Sequence, residues 1–200
     1  MAPIPYADKD IHYAYNCIHD FFDTYGLSGS LEDLESILQA TLDHKVWKKD
    51  APYLLLFFME KLESLCTAAF LINDNYATVK EAILQPPGNG EPDLTLQYQF
   101  TDRYYNTNLW NNFPRSLTSR QYHDPYRAIK KFCRYMPAHE WKKILKEITE
   151  YGLSRDTITE SLPPYNILTI RLRLVQLIEA CHLLDLRINP KIPAAVNDKE

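Results

Sequence analysis

Glycine is scarce in this sequence, with five residues among 200. Loops that cradle a nucleotide phosphate need closely spaced glycines that are followed by the start of a helix. The closest pair, Gly88 and Gly90, is followed instead by Glu91, Pro92 and a strand-like segment. The sequence therefore excludes nucleotide enzymes of the P-loop and Rossmann types. It also lacks a Gly-x-Ser-x-Gly turn, which excludes the hydrolases that depend on that motif.

Long apolar runs are missing as well. The longest one begins at Tyr53 and ends at Met59, where Glu60 and Lys61 follow. A helix that spans a bilayer needs about 20 apolar residues. The first fifteen residues contain no basic segment followed by an apolar one, so the sequence predicts no secretory signal. We expect no contact with a membrane.

Cysteine is rare, and its four residues are far apart: Cys17, Cys66, Cys133 and Cys181. Each lies on or beside an apolar helical stripe, where a free thiol behaves as a small hydrophobic group. A secreted protein with two disulfides would also have four cysteines, but a chain of this length buries a core that needs no such crosslinks. We therefore predict free thiols and a cytoplasmic location.

Helical periodicity dominates what is present. Apolar residues make up 46% of the chain and charged residues 24%, which is typical of a globular protein. Apolar residues recur with a period near 3.6, and the second helix is predicted to open at Ser30. The segment from residue 52 is apolar on almost every side in its first half, which is typical of a central, buried helix. The predicted helices are 8–25, 30–42, 52–73, 76–84, 125–136, 137–151 and 167–188.

The last of these helices has the most regular stripe, with apolar residues stepping alternately by three and four. Three further apolar residues widen the stripe: Leu168, Leu172 and Val175. This width predicts a long helix that packs against neighbours on two sides.

The predicted fold class is all-α, a bundle of five to six helices with a protruding, partly β arm. Alternation of apolar and polar residues over 94–100 predicts the strand, and residues 101–123 follow no period. We expect a single helical domain over residues 8–187 and a disordered tail over 188–200. The domain comprises an acidic half (8–85), the arm (about 86–123) and a basic-to-amphipathic half (124–187).

Charge is distributed unevenly along the chain. Residues 1–100 hold 6 Lys or Arg against 15 Asp or Glu, whereas residues 101–200 hold 16 against 11. Four cations of the helix 125–136 fall within about 100° of one another: Arg127, Lys130, Lys131 and Arg134. Three interpretations remain open: an ordinary solvated face, docking onto the acidic half within the chain or across a dimer, and binding of nucleic acid or another polyanion.

Two helices contain residue types that ligate metals. In the first, His12, His19 and Asp23 lie on one polar stripe. In the last, Glu179 and His182 form the Glu-x-x-His pair that di-iron bundles use twice, but it occurs once here. Because a second half-site is missing, we predict no metal and no other cofactor.

Arg134 and His139 match the Arg-x4-His spacing of the HEPN family. The stretch around them, RYMPAH, resembles that family in this spacing alone. The family is all-helical, and many members are ribonucleases that use these two residue types at a dimer cleft, so the resemblance implies RNA cleavage by Arg134 and His139. The sequence departs from the family at Pro137, which we expect to interrupt the helix between them. We assign the chain to no family on this spacing.

These observations favour a non-enzymatic, cytoplasmic helical protein that acts by interaction or regulation. Its partner would be another protein or a second copy of the chain in a homodimer. The alternatives are a nucleic-acid-binding protein that uses the basic face of the helix 125–136, and an HEPN-like ribonuclease.

Overall fold

Six helices form the described part of the chain in the computed structural model, which covers residues 9–43, 45–75, 113–158 and 164–188. No strand occurs in these ranges, so the prediction of a helical bundle is confirmed for them. None of these helices is both long enough and apolar enough to cross a membrane. The helices are α1 Lys9–Leu42, α2 Pro52–Asp74, α3 Ser119–His123, α4 Tyr126–Tyr135, α5 Ala138–Leu153 and α6 Pro164–Ile188.

A kink at Gly26 divides α1 into two parts. Its φ of 65° and ψ of 175° interrupt the helix, and this left-handed φ favours glycine because a side chain would be strained there. The predicted break between the first two helices thus corresponds to this kink. The prediction that Ser30 opens the second part is wrong, because Ser30 is buried and its Oγ donates a hydrogen bond to Leu27 O at 2.8 Å. A side-chain hydrogen bond to the carbonyl three residues earlier is typical of a residue inside a helix, not of one that caps its N-terminus.

The core is organised around α2 and α6. α2 contacts α1, α4, α5 and α6, and α6 also contacts α1 and α4. α6 runs antiparallel to α1, since Phe22 lies against His182 at one end and Glu35 pairs with Arg171 at the other. The stripe of α6 is buried as predicted at Ile167, Ile170, Leu174, Leu177, Cys181 and Leu184.

The apolar residues that widen this stripe behave differently. Leu168 and Leu172 are exposed, at 65% and 42%, and Val175 is half-buried. The prediction that a second neighbour covers this side of α6 is therefore wrong for the two leucines. They form an exposed pair one helical turn apart.

Gly152 brings α5 close to α1 and α2. A Cβ atom at this position would lie 3.3 Å from Leu55 Cδ1 and 3.6 Å from Ile37 Cγ2, so a side chain here would displace its neighbours. The Gly152 carbonyl accepts a hydrogen bond from Trp47 N at 2.8 Å. The residues between α1 and α2 are thereby tied to the end of α5.

The last part of the predicted arm, residues 113–123, does not protrude. It lies against α6, where Gln176 Nε2 donates to Ser116 O at 2.9 Å and Arg187 donates to Tyr122 O at 2.7 Å. The arm prediction is therefore wrong for these residues, which include helix α3. Three other predicted segments lie outside the described residues: the rest of the arm with the predicted strand, the helix 76–84, and the tail from residue 189.

Candidate functional site

The cations predicted to share one side of α4 do so in the structure. The opposite side contributes Ala128, Ile129 and Phe132 to the core. One of the cations, Arg127, pairs with Asp124 at 3.0 Å, so the charge at the beginning of α4 is partly neutralised. The basic face, as we name it, consists of four exposed residues: Arg127, Lys130, Lys131 and Arg134.

A surface cleft of about 490 Å³ opens beside the C-terminal half of α4. Lys130 and Arg134 of the basic face line it, whereas Arg127 and Lys131 do not. The end of α2 forms the opposite wall, and the first residues of α5 close one end. The cleft is lined by Phe70, Asn73 and Asp74 of α2 and by Lys130, Cys133 and Arg134 of α4.

The one thiol in this cleft is not a nucleophile at neutral pH. Cys133 Sγ donates a hydrogen bond to Ala69 O at 3.7 Å, and burial raises the pKa of the Cys133 thiol to about 12. Because the thiolate is the reactive form, this side chain is inert under ordinary conditions. The charged and polar side chains of the cleft are instead those of Lys130, Arg134, Asn73 and Asp74.

Arg134 and His139 lie on two different helices. α4 ends at Tyr135, Met136 is extended with a φ of −158° and ψ of 143°, and α5 begins after Pro137. The predicted interruption at Pro137 is therefore confirmed. His139 has a 79% exposed side chain 3.5 Å from the Glu140 carboxylate, and it does not line the cleft with Arg134. An HEPN-like ribonuclease stays an alternative prediction.

The polar stripe of α1 contacts α6 at His19. His19 Nδ1 lies 2.9 Å from Asp185 Oδ1, and Asp185 is buried. The other two candidates of this stripe, His12 and Asp23, are exposed. In the part of the chain that the structure describes, no group of three or more His, Cys, Asp or Glu residues is placed to hold a metal ion.

Glu179 binds backbone amides in the structure. Its carboxylate accepts hydrogen bonds from Arg115 N at 2.9 Å and from Ser116 N at 2.8 Å. Burial raises the pKa of Glu179, and these amide hydrogen bonds oppose the increase. His182, three residues later, is buried with its ring centroid 5.0 Å from that of Phe22. We call Glu179 with the amides of Arg115 and Ser116 the carboxylate clasp, because it holds residues 115–116 against α6.

An exposed apolar surface lies at the beginning of α2. Leu55 and Phe58 point into the core, at 0% and 1% exposure, whereas the residues around them face outward. The prediction that this half of α2 is buried on every side is therefore wrong. At 100° per residue the outward side chains cover a contiguous arc of about 160°. The α2 patch, as we name it, consists of Tyr53 (67% exposed), Leu54 (36%), Leu56 (43%) and Phe57 (41%).

Sequence reasoning missed the α2 patch and the carboxylate clasp. The apolar run was visible in the sequence, but a helix that is apolar on every side is ordinarily buried, so the run did not indicate which side stays exposed. The clasp had no signal in the sequence. Glu179 and Ser116 are 63 residues apart, and backbone amides have no sequence signature.

No protein-family model, curated protein or solved structure matches this chain. The candidate sites are therefore distinguished by their own geometry. The α2 patch consists of exposed apolar side chains, whereas the cleft beside α4 is lined by charged, polar and apolar residues.

Proposed function

We propose that this chain is a non-enzymatic interaction protein that associates through the α2 patch, and that its partner there is a second copy of the chain. The observation that carries the proposal is the exposure of four large apolar side chains within five consecutive residues. Exposed apolar residues are common singly, whereas contiguous patches mark interaction surfaces.

The apolar area of the patch supports a weak dimer. An aromatic side chain presents roughly 150–250 Å², so Tyr53 and Phe57 at 67% and 41% exposure together present on the order of 200 Å² in each copy. Covering both copies at about 25 cal/mol/Å² contributes about 10 kcal/mol. Association costs roughly 4–15 kcal/mol in lost translational and rotational freedom. The surplus is at most about 6 kcal/mol, so we expect a dissociation constant of tens of micromolar or weaker.

The charges beside the patch favour a second copy as the partner. A two-fold interface pairs one surface with itself, so the surface has to be complementary to itself. Exposed Lys48 and Asp50 lie on the N-terminal side of the patch, and exposed Glu60 and half-buried Lys61 lie on its C-terminal side. Antiparallel pairing of two α2 helices places Lys48 of one copy on the side of Glu60 of the other, and Asp50 on the side of Lys61. Each end of the apolar contact then offers opposite charges to its partner.

The molar mass in solution, measured by light scattering and sedimentation, tests this proposal. For the wild-type chain the mass should rise from that of one copy, 23.4 kDa, towards that of two as the concentration passes from tens of micromolar into the millimolar range. The double variant Tyr53→Ser and Phe57→Ser should stay at the mass of one copy. Leu168→Ser with Leu172→Ser is the matched control, because it removes an exposed apolar pair of α6. All variants are checked for helix content by circular dichroism.

Three results would contradict the proposal. The first is a wild-type mass of one copy at every concentration. The second is unchanged association of the α2 variant. The third is equal loss of association in the α6 control, because the effect would then not be specific to the α2 patch.

An RNA cleavage assay tests whether the chain is non-enzymatic, against the alternative of an HEPN-like ribonuclease. We expect the purified chain to leave single-stranded RNA intact, because His139 and Arg134 lie on different helices and the exposed His139 does not line the cleft that contains Arg134. Cleavage by the wild-type chain that disappears in His139→Ala, with an unchanged melting temperature, would establish a ribonuclease and refute this part of the proposal.

A further inference from the structure

We propose that the cleft beside α4 binds one nucleotide unit, with its phosphate at Lys130 and Arg134 and its sugar or base at Asn73 and Asp74. This site is separate from the α2 patch. The two lie at opposite ends of α2, about 25 Å apart at 1.5 Å per residue. The inference therefore does not depend on the proposed association.

The α4 wall suits a phosphate group. Lys130 and Arg134 are one helical turn apart, so their side chains emerge on the same side of the helix and both line the cleft. Arginine presents a planar fork of donors that matches a phosphate, and lysine adds a compact positive charge. Both residues are exposed, so a ligand can reach them from solution.

The α2 wall has the opposite chemistry, and this determines the orientation of the ligand. Asp74 is an acceptor that repels a phosphate but accepts hydrogen bonds from a ribose hydroxyl or the amino group of a base. Asn73 Nδ2 lies 3.3 Å from Asp74 Oδ1, which leaves the Asn73 carbonyl oxygen as a further acceptor. A ligand with an anionic end and a donor-rich end therefore fits better than inorganic phosphate does.

The size of the cleft agrees with a nucleotide. Its volume of about 490 Å³ lies within the range of roughly 300–1,000 Å³ that is usual for small-molecule sites. Phe70 adds an apolar surface on the α2 side, against which a base or sugar can pack.

A nucleotide unit has two sources, a free nucleotide or a single-stranded nucleic acid. Lys131 distinguishes them, because it lies on the basic face but not in the cleft. A free nucleotide contacts only the cleft. A strand continues past it, so that its neighbouring phosphates come within reach of Lys131.

Titration calorimetry with adenosine monophosphate and fluorescence anisotropy with a labelled single-stranded oligonucleotide test the site. Arg134→Glu should weaken binding of the mononucleotide at least tenfold, whereas the matched control Lys131→Glu should leave it unchanged. If the source is a nucleic acid, both variants weaken oligonucleotide binding, and each lowers the slope of log affinity against log salt by about 0.7. Asp74→Asn should bind inorganic phosphate more tightly than the wild type does, because it removes the repelling charge.

The proposal is overturned if neither probe binds the wild-type chain at millimolar concentration. It is also overturned if Arg134→Glu binds the mononucleotide with the affinity of the wild type. The same holds if Arg134→Glu and Lys131→Glu weaken mononucleotide binding equally. Equal weakening would show that the basic face as a whole attracts the mononucleotide, without a specific site in the cleft. Both charged residues are exposed, so the folded state tolerates these substitutions, and circular dichroism verifies this.

Discussion

Replacement of Glu179 by glutamine tests whether the carboxylate clasp stabilises the fold. Ser116 N donates to both carboxylate oxygens, at 2.8 and 3.1 Å, and Arg115 N donates to one of them at 2.9 Å. Glutamine has nearly the same shape but one accepting oxygen, and its NH2 group would face an amide donor. A hydrogen bond to a charged group contributes about 1.5–3 kcal/mol. Part of this loss is offset, because a neutral amide costs less to bury than a carboxylate does.

We therefore expect Glu179→Gln to lower the free energy of unfolding by about 1–3 kcal/mol. Urea denaturation at neutral pH measures this change, and each 1 kcal/mol corresponds to about 2–4 °C in melting temperature for a chain of this size. Hydrogen exchange at the Ser116 amide should also become faster. Glu150→Gln is the control: its exposed carboxylate pairs with Lys146 at 3.7 Å, so the change should stay below about 1 kcal/mol. Unaltered stability and unaltered Ser116 exchange in Glu179→Gln would refute the stabilising role of the clasp.

Three further predictions concern packing, thiol reactivity and alkaline pH. Gly152→Val should lower the free energy of unfolding by about 1–3 kcal/mol, because its side chain needs space that α1 and α2 occupy; urea denaturation without a loss would contradict the close packing. Cys133 should react with a disulfide reagent at pH 8 more slowly than Cys17, because a pKa of about 12 leaves about one Cys133 thiol in 10⁴ ionised; equal labelling by mass spectrometry would contradict this. The hydroxyls of Tyr15 and Tyr126 share a hydrogen bond of 2.9 Å, and burial raises the pKa of both. Above pH about 10 the folded state therefore keeps two protons that the unfolded chain releases. Stability should therefore fall above that pH, by up to about 1.4 kcal/mol per pH unit for each tyrosine, and a slope that Tyr15→Phe leaves unchanged would contradict the assignment.

The longer helices were predictable because apolar residues recur along them with the helical period, whereas the short helix α3 lies in residues 101–123, which follow no period. The predicted helix 52–73 is Pro52–Asp74 in the structure, and 137–151 is Ala138–Leu153. On α4 the sequence also predicted which side is exposed, since its cations and its apolar residues lie on opposite sides. On α2 this argument failed. Where every side of a helix is apolar, only the number and position of the neighbouring helices decide which side is covered.

The cleft beside α4 was predictable in part. Lys130 and Arg134 were candidates from their helical spacing alone. Asp74 and Asn73, which orient the proposed ligand, lie more than fifty residues earlier, at the end of a different helix. Their place in the same cleft depends on the contact between α2 and α4, in which Phe70 lies against Phe132.

The sequence by itself determined the helical class, the break at Gly26, the interruption at Pro137 and the basic face of α4. These properties depend on residues within one or two helical turns of one another, so local periodicity and backbone preferences suffice to predict them. Only the tertiary structure decided that residues 113–123 lie against α6, that His19 pairs with Asp185, and that the α2 patch faces outward. Each of these depends on groups that are distant along the chain and meet only when the helices pack. A polar side chain such as Glu179 then finds its partners among backbone amides, which every residue except proline has and which no sequence pattern reveals.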